Sequence, residues 1–158
     1  MALFKRLNTV VFTFLVFTAS NAIAVDMEDS VEARQAFMKV YEFNLDLLDD
    51  MASGDARFNR VRAQVAANNL LALVRMNNVA MWPSDTDETN PLIRDKTSAK
   101  VEVWEKYNDV AYRHATLTRA VERFAWYGTR DAYSLKRELM NIQSACKGCH
   151  QRYRSKKD

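Results

Sequence analysis

Cys146-Lys147-Gly148-Cys149-His150 contains the only two cysteines of this 158-residue chain. Two thiols with two residues between them, and an imidazole directly after the second, have the types and spacing of a c-type haem attachment site. Each thiol can add across one haem vinyl group to form a thioether. The adjacent imidazole is then held where it can bind the iron as proximal ligand. The motif thus predicts one covalent haem c, anchored by Cys146 and Cys149 and ligated by His150. Other chemistries fit less well. A thioredoxin-like pair belongs beside a βαβ pattern, and none is visible here. A structural zinc site needs four protein ligands, and the only other histidine is His114. A disulfide or redox pair stays open as the alternative, but it leaves His150 without a role.

The other end of the chain supports the same reading. Lys5 and Arg6 precede an apolar run from Val10 to Phe17, broken only by Thr13, and Ala22-Ile23-Ala24 is a small-x-small cleavage signal. Residues 1–24 read as a secretory signal peptide, which leaves 25–158 as one domain. An uncleaved anchor is the alternative. Polar residues such as Asn8, Thr9, Thr18 and Ser20 dilute the stretch, so no stable membrane insertion is expected after cleavage. Export together with covalent haem indicates a periplasmic protein.

Losing the signal takes the formal charge from +3 to +1, because Lys5 and Arg6 leave and no acidic residue does. A nucleic-acid binder would show a strong basic excess, so that class is set aside. Arg152, Arg154, Lys156 and Lys157 form a basic C-terminal cluster. It reads either as a solvated tail that complements a helix dipole or as a dock for an acidic partner.

The elements that must position the motif are helices. Three glycines and two prolines are sparse punctuation for this length. A first helix is expected over 30–53, with Met38, Tyr41, Leu45, Leu48 and Ala52 on one stripe and Phe37, Val40, Leu47 and Met51 beside it. Gly54 is expected to cap it and Asp55 to start the next helix. A second helix is expected over 56–81, facing inward through Phe58, Val61, Val65, Ala72, Met76 and Val79. Residues 82–97 form a long crossover. A third helix is expected over 98–127, with Val103, Tyr107, Val110, His114, Leu117, Val121 and Phe124 inward. The fourth begins near Thr129 or Asp131. Its stripe of Leu135, Leu139 and Ile142 runs directly into Cys146 and Cys149. The fold class is therefore all-α, an antiparallel four-helix bundle with the haem near the C-terminal helix.

The chain resembles the cytochrome c-prime family over nearly all of residues 25–158. The resemblance rests on Ala33-Arg34-Gln35-Ala36-Phe37-Met38-Lys39, on Trp82-Pro83, on Val103-Trp104, and above all on Ala145 to Arg154 with its late Cys-x-x-Cys-His-x-x-Tyr-Arg. It implies Cys146 and Cys149 as thioether residues and His150 as proximal ligand. It implies that Arg34 contacts a haem propionate, that Arg154 lies near the haem beside His150, and that Met38 occupies the distal side. The chain departs from the family pattern in lacking a proline before Trp104 and in having an acidic crossover.

Met38 divides the functional readings. As an iron ligand it gives a six-coordinate, low-spin electron carrier that serves redox partner proteins. As a packing residue it leaves five-coordinate iron open to a small gas such as nitric oxide or carbon monoxide. His114 competes as sixth ligand from the third helix, although the family offers none there. A peroxidase would need a polar distal pair, and Arg34 to Met38 has no histidine, so the protein is not expected to be an enzyme. High-spin members of the family it resembles often form homodimers through their first two helices. Phe37, Val40 and Phe43 could serve that contact here, or could only complete the bundle.

Overall fold

The computed structural model describes residues 26–156. The signal-peptide reading of 1–24 lies outside them. Among the described residues five α-helices form: α1 Met27–Ser53, α2 Arg60–Arg75, α3 Glu102–Glu105, α4 Tyr107–Tyr127 and α5 Ala132–Tyr153. A 3-10 turn spans Val79–Met81. The four long helices make the bundle. α1 packs on α2 and α5, and α4 packs on the same two. Among the described residues no helix is long and apolar enough to cross a membrane.

Local chemistry sets the helix limits. Asp26 caps α1 by accepting from the Glu28 N–H at 2.8 Å, and Glu28 and Asp29 in the first turn oppose the dipole. Gly54 ends α1 at φ 97°, a left-handed conformation that favours glycine. Asp131 caps α5 by accepting from the Ser134 N–H at 2.8 Å.

The second helix is shorter than expected at both ends. Asn59, rather than Asp55, is its cap, accepting from the Arg62 N–H at 3.0 Å. Asp55 is instead occupied by the Ser53 hydroxyl. The buried face of α2 is also different. Ala63, Ala66, Ala67, Leu70 and Val74 point inward, while Val61 and Val65 are 73% and 54% exposed. Small alanines let α2 approach its neighbours closely, and the valines fall on the flank. The third helix is split at Lys106, whose φ −114° and ψ 42° depart from helical values. α3 is consequently a single turn and α4 carries the packing.

The core is not uniform along the bundle. Leu48, Ala63, Leu70, Val121, Phe124, Leu135, Leu139 and Ile142 are fully buried. Toward the other end α4 shows only half-buried Val110, Arg113 and Leu117, and Cys146 joins the core as a half-buried edge. That end also receives the crossover. Ala99 bridges Arg154 in antiparallel fashion, and the Lys100 N–H donates to the Tyr153 carbonyl at 3.0 Å. The start of α1 and the end of α5 thus share one end of the molecule.

Candidate functional site

α5 carries Cys146, Cys149 and His150 on consecutive turns at the loosely packed end. Both thiols are free and half-buried. Burial raises both thiol pKa values. Cys149 adds coupling to Cys146, while Arg113 lowers and Asp109 raises Cys149. His150 is exposed at one edge of the segment. Partial desolvation, and second the charge of Arg154, lower its pKa and favour the neutral imidazole that binds metal.

α1 faces this segment. Tyr41 is buried, and its hydroxyl pKa is raised first by burial and then by Cys146, so the two side chains lie within electrostatic reach. Met38, one turn nearer the start of α1, sits on the flank of the buried stripe and is 40% exposed. Because α1 and α5 run antiparallel, stepping from Tyr41 to Met38 moves the same way along the bundle as stepping from Cys146 to His150.

Arg34 is buried beneath the crossover. Its guanidinium donates to the Thr86 hydroxyl at 2.7 Å, to the Thr86 carbonyl, and to the Thr97 hydroxyl at 2.5 Å. It lies 4.8 Å from the Trp82 ring centre and 6.0 Å from that of Trp104. Burial pulls its pKa down to about 10, against the raising effect of Asp87. Arg34 therefore ties α1 to the two ends of the crossover, at Thr86 and Thr97, a role the sequence did not reveal.

His114 does not face the bundle. It is exposed, and its neighbour Arg113 is the residue that turns toward α5. The inward line of α4 runs through Arg113, Leu117, Val121 and Phe124. Arg113, Asp109 and Tyr153 form a connected group at the attachment segment. An i, i+4 acid–base pair on a helix was visible in the sequence, but such pairs are common on solvated faces.

The donor set suits haem. Among the described residues no group of three or more His, Cys, Asp and Glu is placed to hold a bare metal ion. Two thiols and one imidazole on one helix match a metal that arrives in its own ring and needs covalent anchors and an axial ligand.

Comparisons with known proteins agree. A family model described as Cytochrome C' matches residues 29–154. Cytochrome c' of Allochromatium vinosum is 28% identical over 141 residues, covering 87% of this chain and 89% of that protein. A solved cytochrome c' from Rhodobacter spheriodes superposes with a TM-score of 0.80 at 21% identity, covering 84% of this chain and all of the other. A ferrous Alcaligenes xylosoxidans cytochrome c-prime variant with bound NO has a TM-score of 0.72 at 18% identity, covering 85% and 99%.

Proposed function

The chain belongs to the cytochrome c' family, and on that premise we propose that it is a periplasmic monohaem carrier of single electrons, with iron bound by His150 and Met38. The family binds covalent haem c. The bound group supplies a reversible one-electron ferric–ferrous couple. Cys146 and Cys149 anchor it, each S–H adding across a vinyl double bond with no atom lost. His150 offers a neutral imidazole. Arg34 and Arg154 supply cationic charge near α1 and His150. The signal peptide over 1–24 accounts for export.

The observation that carries the Met38 assignment is the antiparallel register of α1 and α5. Tyr41 lies near Cys146, and Met38 is the next turn toward the level of His150. A thioether there favours ferrous iron and a six-coordinate, low-spin state. Optical spectra of ferric and ferrous holoprotein, with and without carbon monoxide, test the assignment. The ferric protein should show a methionine–iron band at the red end that disappears in Met38→Ala. A spectrum unchanged by that substitution removes Met38 from the iron.

The exposure of Met38 favours a second reading, in which it gates a five-coordinate iron that binds nitric oxide or carbon monoxide. The bound NO of the Alcaligenes structure is consistent with that chemistry. A high-spin ferric spectrum and ready nitric oxide binding would select it. A homodimer through α1 and α2 is supported by exposed Val40 and Phe43 and by a mostly apolar cleft lined by Val40, Asn69, Ala72, Leu73, Arg75 and Met76, whereas Phe37 is buried in the core and completes the bundle.

A further inference from the structure

We propose that Asp109 and Arg113 on α4 are a positioning pair for the haem-attachment segment, and that their balanced opposite charges set the potential of the iron couple. The proposal rests on the reading that Cys146, Cys149 and His150 hold the haem.

The geometry is a clamp. Arg113 Nη1 donates to the Gly148 carbonyl at 2.8 Å, between the two cysteines. Arg113 Nε donates to Asp109 Oδ2 at 2.8 Å. The same oxygen accepts from the Tyr153 hydroxyl at 2.5 Å, and Arg152 stands 4.0 Å from it. α4 therefore grips α5 at one point before His150 and at another after it. Tyr153 is buried, and its carbonyl also accepts from the Lys100 N–H, so the second grip point is itself fixed by the crossover.

The pair is also electrostatic. Arg113 and Asp109 stand beside the attachment segment, the guanidinium on the Gly148 carbonyl and the carboxylate on the Tyr153 hydroxyl. Their side chains are 21% and 35% exposed, so water screens them only in part. Ferric iron carries one more positive charge than ferrous iron. Loss of Arg113 leaves Asp109 unbalanced and favours the ferric state. Loss of Asp109 leaves Arg113 and Arg152 unbalanced and favours the ferrous state. A residue that merely held the fold would move the potential the same way whichever partner was removed.

The test is redox titration of purified holoprotein. Arg113→Gln should lower the potential and Asp109→Asn should raise it. The expected change in the ferric–ferrous equilibrium is about threefold to tenfold, which is about 30–60 mV at 59 mV per tenfold for one electron. Arg113→Lys should return the potential toward the parent value. Arg123→Gln, at an ion pair elsewhere on α4, should leave it unchanged. Shifts in the same direction, or no shift in either variant, would overturn the pair's role. Mass spectrometry of the peptide carrying Cys146 and Cys149 separates the two readings. Haem absent from it overturns the attachment reading and the pair's role together. Haem present with unsplit potentials overturns the pair's role alone.

Discussion

α4 and α5 are joined twice by a carboxylate, and the two joints sit in different surroundings. Glu138 has a side chain only 1% exposed. It accepts from Arg123 Nε at 2.7 Å, from Arg137 Nη2 at 2.9 Å and from Asn141 Nδ2 at 3.2 Å. Fully buried Phe124, Leu135, Leu139 and Ile142 share that half of the bundle. Asp109 accepts from Arg113 and Tyr153, but it stands at the rim, where the apolar layers give way to half-buried cysteines. The comparison separates two uses of one motif. In the packed half the carboxylate completes a core that holds the helices together. In the other half it is bonded to Arg113 and Tyr153 beside the segment that carries the two half-buried cysteines.

The largest expected effect tests that division of packing. Phe124→Ala removes a fully buried ring and should cost about 3–5 kcal/mol, read from denaturant unfolding of the holoprotein. Leu117→Ala, two turns toward the attachment end, should cost about 1–2 kcal/mol, because a half-buried side chain leaves a smaller cavity. Equal costs would erase the distinction between the halves.

Gly128 sharpens the same point. A Cβ built there would lie 2.5 Å from Phe124 Cδ2 and 2.6 Å from Cε2. The ring is locked in the dense core and cannot swing away. Gly128→Ala should therefore destabilise by about 1–3 kcal/mol through overpacking. A neutral result would mean that the Phe124 layer yields more easily than its burial implies.

Much of this was readable from residue types. The Leu135–Leu139–Ile142 stripe leading into Cys146, the start of the last helix near Thr129 or Asp131 and the Gly54 turn all follow from local rules, and the structure keeps them. The face of α2 was not readable. Its inward alanines carry little hydropathy, so the larger Val61 and Val65 dominated the periodicity although they lie outside. The lower half of α4 misled for a related reason. His114 continues the apolar spacing, yet Arg113 is the residue drawn inward, because Gly148 and Asp109 offer it hydrogen-bond partners that only the folded chain brings together. The break at Lys106 has no sequence marker, since neither glycine nor proline occurs there.

Acid should weaken both joints. Hydrogen bonds from Arg123, opposed by burial, hold the Glu138 pKa below its ordinary range. Those from Tyr153 and then Arg113 do the same for Asp109. A depressed carboxylate contributes stability above its unfolded pKa, about 4.3 for glutamate, and loses it as pH falls through the lower folded value. Thermal midpoints should therefore drop as pH is taken below about 4. Glu138→Gln should cost about 1–2 kcal/mol at neutral pH, since Arg123 and Arg137 can still reach water, and should flatten the acid limb. An acid limb as steep in Glu138→Gln as in the parent would assign the pH dependence to other carboxylates.

The smallest effect has the opposite sign. Gly148 lies within α5, between the two cysteines. A Cβ there would meet only Arg113 Nη1, at 3.6 Å, an ordinary contact. Alanine in a helix interior is favoured over glycine by about 0.5–1 kcal/mol, because the unfolded chain loses less freedom on folding. Gly148→Ala should thus stabilise the apoprotein by about that amount, while Gly128→Ala destabilises it. The sign depends on what surrounds each glycine. At Gly128 the neighbour is a ring fixed by the core. At Gly148 it is the tip of a long side chain held by two hydrogen bonds, with room to spare. If Gly148→Ala destabilised instead, the Arg113 clamp would be tighter than its 3.6 Å clearance allows, and the attachment end would be as closely packed as the far half.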